Sequence, residues 1–296
     1  MEFFLKHITW FLCITVLLPA LCTSQYTYVS SRATYYGSPD CYGNPNSLSI
    51  NISTLVKLFD SLTTEHLHAC TIVFLHYGLY SRRYTVAAGA CGFGEYGTKV
   101  NDGQVSAVSR LYRNGTGCGA CYQVRCKIPQ HCSSDGVTTV VTDHGEGDRT
   151  DFIFSPRSYA KLANSPASSE VLFASGVVEI EYRRVACRFS GKGLVFKVHE
   201  GSKYPFYFAL VIQYVSGINE ITAVEVWQED NQQWRPMRRV YGAVWDLQNP
   251  PTGALSLRFQ IVSGRATAEV DWMQATKVIP ADWEAGAAYP SDIQLD

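Results

Sequence analysis

From Gly193 to the C-terminus the chain runs through "GLVFKVHEG", "FYFALVIQYVSG", "ITAVEVWQED", "WRPMRRVYGAVWDL", "ALSLRFQIVSG" and "ATAEVDWMQATKVI", with turn clusters such as "SGIN", "EDNQQ" and "VSGR" between them. Apolar and polar residues alternate along these runs and no helical period appears. That restricts the region to short strands with one buried face. A sheet that is apolar on one face needs a second sheet to cover it, so regularly spaced strands with tight turns fold as an antiparallel sandwich. Residues 193–296 are therefore read as an antiparallel β-sandwich, entered through the connection Arg188–Gly193.

The preceding half, residues 25–187, mixes Gly-rich turns with short strands. "VEIEYRRV" places Val178, Ile180 and Tyr182 on one face and Glu179, Glu181 and Arg183 on the other, the mark of a half-buried strand. One helix is expected where Ser155 can cap and Pro156 opens "RSYAKLA". The class is mainly β throughout.

Residues 1–24 carry Lys6 and His7, then an apolar run from Ile8 to Cys22, then small residues. This is the grammar of a secretory signal peptide cut near Ser24, and no later run has the ~20 apolar residues of a membrane span. Of ten cysteines, Cys13 and Cys22 fall in the leader, leaving eight in an oxidising compartment, where disulfides are the first reading. "CGAC" (Cys118, Cys121) has no second ligand pair, which argues against zinc. Charged residues make up 17% of the chain and the net charge is −1, so neither nucleic acid nor an anionic membrane is an expected partner.

The motifs "ATYYG" (33–37), "GACGFGEYG", "GTGCGACYQVRC", "VVTDHGEGD", "EYRRVAC", "WRPMRRVYGAVW" and "VIPADW" occur in this order along nearly the whole chain. As a set they resemble expansins, and the Asp-rich stretch is most similar to the expansin-like B branch. The resemblance implies a six-stranded double-psi β-barrel followed by an immunoglobulin-like β-sandwich that acts as a carbohydrate-binding module. It also implies the pairs Cys91 with Cys118, Cys121 with Cys187, and Cys126 with Cys132, with Cys41 and Cys70 unassigned. The family pattern passes from "CYGNP" almost directly into "GACG". Residues 46–88 are an insertion against it, read as a translated intron; peptides from this segment in secreted protein would refute that.

Hydrolysis of a glycosidic bond usually takes two carboxyl groups, one to protonate the leaving oxygen and one to activate water or attack. The resemblance places the family's acid at Ile153, which carries no proton. It makes Thr34, Tyr36 and Asp143 groove residues. Asp151 is two positions from Ile153 and would share its face in an extended strand. Glu146 and Asp148 are read as solvated loop charges, since their spacing is not that of a calcium loop. In the sandwich the resemblance selects Tyr207, Tyr241 and Trp245 as a sugar-stacking platform. Trp227, Trp234 and Trp272 are assigned to the core, and Arg235, Arg238 and Arg239 to a basic face that could meet acidic polymers. Asn114 ("NGT") is an N-glycosylation sequon in a loop and is expected to be glycosylated; Asn51 ("NIS") is a second, whose use depends on the insertion.

The function these features imply is non-hydrolytic binding and loosening of cell-wall glucans by a secreted, extracellular, monomeric plant wall protein. It needs no cofactor or metal, and its partners are cellulose, xyloglucan or other matrix glycans. The rivals are a weak endoglucanase using Asp143 with Asp151, and a carbohydrate-binding or defence module without loosening activity.

Overall fold

The computed structural model describes residues 27–36, 89–145, 150–263 and 270–295. The leader, Cys41, the segment 46–88 with Asn51 and Cys70, and the loop charges Glu146 and Asp148 lie outside the described residues.

Six strands close the first barrel: β1 (Val29–Tyr35), β2 (Val105–Val108), β3 (Cys121–Cys126), β4 (Val137–His144), β5 (Phe152–Phe154) and β6 (Val178–Val185), in the spatial order β1-β5-β2-β4-β3-β6. The pairs β1/β5 and β2/β4 are parallel and the other four antiparallel. Closure leaves no open edge. The alternation in "VEIEYRRV" works as written: Val178, Ile180 and Tyr182 point inward, beside Val124, Phe152 and Phe154.

Short helices α1 (Tyr96–Lys99), α2 (Pro156–Ala160) and α3 (Pro166–Ser175) pack around the barrel. Ser155 caps α2 by accepting from the Ser158 amide at 3.1 Å. Helix α3 was not foreseen, although it obeys the same rule: Ser165 caps, Pro166 opens, and Gly176 ends it at φ 69. Its apolar Val171, Leu172 and Phe173 fall too close together to show a helical stripe, and only Leu172 of the three is fully buried.

The second domain packs a four-stranded sheet against a five-stranded one. The first is ordered β10 (Gln233–Pro236), β9 (Asn219–Gln228), β13 (Leu255–Ser263), β14 (Val270–Ile279). The second is ordered β11 (Arg238–Tyr241), β12 (Val244–Gln248), β8 (Tyr207–Gln213), β7 (Val195–Val198), β15 (Ala288–Pro290). Phe196 and Phe259 meet across the two layers at 5.9 Å, within a core that also holds Phe208, Leu210, Val226 and Leu257.

Strand parity reverses the fate of several tryptophans. On β9, Val224 and Val226 face inward, which sends Trp227 outward; Trp234 lies opposite it on β10, and Trp272 is 38% exposed on β14. The Arg258 guanidinium sits 4.8 Å from the Trp234 ring and 4.6 Å from the Trp272 ring, pinned by Glu225 at 2.5 Å. Trp234 and Trp272 thus share one cation and Trp227 meets Trp234 edge-on at 5.2 Å, on the outer sheet face rather than in the core.

The barrel lies against the outer face of the five-stranded sheet. Ala209, Val211 and Val244 belong to the barrel's own apolar cluster. The Ala243 amide donates to the Cys91 carbonyl at 2.9 Å, and Cys187 and Gly217 exchange two backbone bonds. Arg113 pairs with Glu220 at 2.5 Å across the seam. Glycine permits the closest approach: a Cβ on Gly242 (φ 49) would stand 2.3 Å from the Ala90 carbonyl oxygen, and one on Gly115 (φ 94) 2.6 Å from that of Gly242. Arg239 locks the junction, donating to the carbonyls of Gly242 at 2.8 Å and Ile221 at 2.5 Å.

Candidate functional site: a barrel groove continued by a tyrosine face

A bulge between β2 and β4 aims Asp143. Ser106 pairs with Val141 but Ala107 pairs with Asp143, so Thr142 is the extra residue and the strand's alternation is reset there. The Asp143 carboxylate is 7% exposed and accepts from the Tyr36 hydroxyl at 3.1 Å, the Ala90 amide at 2.6 Å and its neighbour His144's amide at 2.8 Å. It thereby holds two chain positions far apart in sequence, Tyr36 and Ala90, at one point. Burial and then the Asp143 charge raise the Tyr36 phenol well above its ordinary value, so it stays a donor. Thr34 is turned elsewhere: its hydroxyl donates to the Gly176 carbonyl at 3.0 Å.

Asp151 occupies a different setting. Its carboxylate accepts from Ser31 Oγ and Arg110 Nη2, both at 2.6 Å, and from Ser109 Oγ at 3.2 Å. It lines an open groove of about 810 Å³ together with Arg110, Tyr112, His144 and Asn114. Asp143 and Asp151 share none of these donors. Ile153 is 3% exposed and packs with Tyr36 and Ala107. Where the resemblance called for an acid, the structure has a small apolar plug.

On the sandwich, parity separates the three aromatics expected to act together. Trp245 is 5% exposed and belongs to the sandwich core with Leu247, its ring facing the Arg239 guanidinium at 4.3 Å. A ring so placed cannot stack on a polymer; it supports the face from behind. Tyr241 is 40% exposed. Tyr207 is half-buried on the outward side of β8, where its hydroxyl donates to Asp246 at 3.0 Å. Arg238 reaches the same carboxylate through two nitrogens at 2.8 and 3.1 Å, which lowers the Asp246 carboxyl; burial opposes the shift and the Tyr207 bond adds to it. Arg239 is committed to the seam, and Arg235 donates to the carbonyls of Gln248 and Asn249, so neither is simply a solvated charge.

His199 was missed by sequence reasoning and sits beside Tyr241. Its Nδ1 accepts from the Gly201 amide at 3.0 Å, so in the neutral ring Nε2–H donates to the Tyr241 hydroxyl oxygen at 2.9 Å. Burial lowers the His199 value, with Lys197 acting in the same direction and Glu200 against it. Ser31, Ser109, Arg110, Tyr112 and His144 were missed too. Ser109, Arg110 and Tyr112 come from one segment and Ser31 and His144 from β1 and β4, with no spacing that ties these three places together.

Three disulfides join Cys91 to Cys118, Cys121 to Cys187, and Cys126 to Cys132. The two cysteines of "CGAC" thus belong to different bridges, neither a redox pair nor a metal clip. Among the described residues no group of three or more His, Cys, Asp or Glu is placed to hold a metal ion, and no helix is long and apolar enough to cross a membrane.

Two family models match the chain: the Expansin C-terminal domain over residues 194–280, and a model described as lytic transglycolase over residues 104–182. Expansin-like B1 of Arabidopsis thaliana is 49% identical over 96% of both chains. Expansin-like B1 of Oryza sativa subsp. japonica is 44% identical over 70% of this chain and 81% of its own. Among solved structures, the apo Clavibacter michiganensis expansin covers 90% of this chain and 97% of its own, with a TM-score of 0.56 at 18% identity. A mutant of that bacterial protein has been crystallised in complex with cellohexaose, with a TM-score of 0.55. The fold, the two matched domains and the extent of the identity agree: this chain belongs to the expansin family, in its expansin-like B branch.

Proposed function

We propose that the protein is secreted to the plant cell wall, binds extended glucan chains of cellulose or of matrix polysaccharides such as xyloglucan, and loosens their contacts without cleaving them. The observation that carries this reading is the continuity of one surface across two domains. Tyr112 packs on His144 in the barrel groove at 4.6 Å, and its hydroxyl donates to the Ala90 carbonyl at the seam. Tyr241 begins directly beyond, against Gly92, and is followed by His199 and Tyr207. A chain lying along this face would meet hydroxyl partners in the groove and flat phenol rings on the sandwich. Covering ring faces contributes roughly 25 cal/mol per Å² of apolar area. The cellohexaose complex of the Clavibacter protein supports the same ligand class.

The non-hydrolytic part rests on the carboxyl groups. Asp143 accepts from three donors and Asp151 from three others, and a carboxylate engaged in this way is badly placed to hand a proton to a glycosidic oxygen. The position expected to carry the acid is Ile153. The test is incubation of purified protein with amorphous cellulose, measuring bound protein and reducing ends, with Asp143→Asn alongside. Binding without new reducing ends is the expected result. Reducing ends that appear with the wild type and vanish in the variant would replace this reading with a hydrolase.

A further inference from the structure

The sequon Asn114-Gly115-Thr116 lies within the groove rather than on a remote loop. Asn114 is exposed, adopts a left-handed conformation (φ 54) and lines the same cavity as Asp151, Arg110 and Tyr112. Its backbone is fixed on both sides: Arg113 is tied to Glu220 of the sandwich, and Gly115 is pressed on Gly242. The Thr116 hydroxyl donates to the Arg113 carbonyl at 2.9 Å, closing the turn. A glycan on the Asn114 amide is rooted at the groove wall.

We infer that Asn114 carries an N-glycan whose first sugars occupy the barrel groove and compete there with external glucan. The inference rests on the glucan-binding and secretion readings above and assigns the same groove an internal ligand. In the transfer, Asn114 Nδ2 bonds to the anomeric carbon of an oligosaccharide carried on a lipid diphosphate. That carbon's bond to the diphosphate breaks, and the amide proton leaves with the released lipid diphosphate. The core of such a glycan begins with a β-1,4-linked pair of N-acetylglucosamine residues, the same linkage as cellulose. A groove shaped for a β-1,4-glucan accepts this pair on shape, and the Asn114 tether supplies it at an effective concentration of order millimolar. Soluble oligosaccharide must displace it, so the modified protein binds glucan more weakly than its contacts with the polymer permit.

The test uses full-length protein secreted from plant cells, with glycopeptide mass spectrometry at Asn114. Cellohexaose affinity is measured for the native form, for protein treated with peptide N-glycanase, which hydrolyses the linkage and leaves aspartate at position 114 (matched by an Asn114→Asp control), for Thr116→Ala, which removes the sequon, and for Thr116→Ser, which keeps it. The unglycosylated forms are expected to bind at least about threefold more tightly than the native form and Thr116→Ser. Added cellohexaose is also expected to speed glycan release from the native fold, because it displaces the glycan from its seat. An unoccupied Asn114 overturns the inference. So do equal affinities with release indifferent to cellohexaose, a result that leaves the glucan-binding reading intact. A glycan protected in the native fold, with no form binding cellohexaose, refutes the glucan reading and with it the competition, and leaves only the glycan's seat.

Discussion

Gly242→Ala strikes the contact that makes the groove and the tyrosine face one surface. The new Cβ would lie 2.3 Å from the Ala90 carbonyl oxygen and 2.6 Å from the Cys91 Cα, both backbone atoms that cannot rotate away. Neither side yields easily, since the Gly242 carbonyl is held by Arg239 at 2.8 Å and the next residue's amide by Cys91 at 2.9 Å. A left-handed φ of 49 costs an alanine about 1–2 kcal/mol, and forcing an atom into a packed site costs about 1–3 kcal/mol more. The expected penalty of about 2–5 kcal/mol is relieved by parting the domains at this seam, which withdraws Ala209, Val211 and Val244 from the barrel's cluster but leaves the rest of each domain's core in place. Circular dichroism should show both domains folded, and small-angle scattering should show a longer particle. Calorimetry should show the affinity for a long glucan falling about tenfold or more, toward that for a short one, since each 1.4 kcal/mol is a factor of ten. Unchanged long-chain affinity in a variant shown to be open would refute the idea that one polymer spans both domains.

Placing the family's acid at Ile153→Asp puts a carboxyl into the plug formed with Tyr36 and Ala107, 3% exposed, where Tyr36 is already hydrogen-bonded to the like-charged Asp143. A loss of about 3 kcal/mol or more is expected, read as a fall in thermal midpoint, and an unchanged midpoint would show that the site can solvate a charge. Replacing the disulfide pairs with alanines should destabilise by loop length: about 2 kcal/mol for Cys126–Cys132, separation 6, and about 4 kcal/mol for Cys121–Cys187, separation 66, measured by denaturant unfolding. Equal losses would contradict the chain-entropy argument. His199 has its folded value below 6.5, so the unfolded chain takes up that proton first as pH falls. The neutral ring's contribution is full above about pH 6.5 and is lost as pH drops through the folded value. The stability gap between wild type and His199→Gln should therefore shrink from pH 7.5 to pH 5, and a gap that widens would reverse the assignment of the neutral ring.

The alternation of the C-terminal runs determined the two-sheet sandwich, because a period of two can bury only one face of a strand. "VEIEYRRV" likewise showed which side of β6 enters the barrel, and Ser155-Pro156 marked a helix start through purely local capping. The motif order carried the family and, with Ile153, the loss of the expected acid. Tertiary structure decided what depends on register and on the second domain. Trp245 and Tyr207 lie on neighbouring strands, yet one faces the core and the other faces outward, since pairing Trp245 with Leu210 and Gln248 with Tyr207 puts them on opposite sides of one sheet. Trp227 and Trp272 left the core for the same reason. Asp143 is aimed by a bulge that no residue of "VTDHGEG" announces. The Asp151 cluster and the His199–Tyr241 bond join residues from 41 to 120 positions apart, and separations of that size leave no periodicity for a sequence to display.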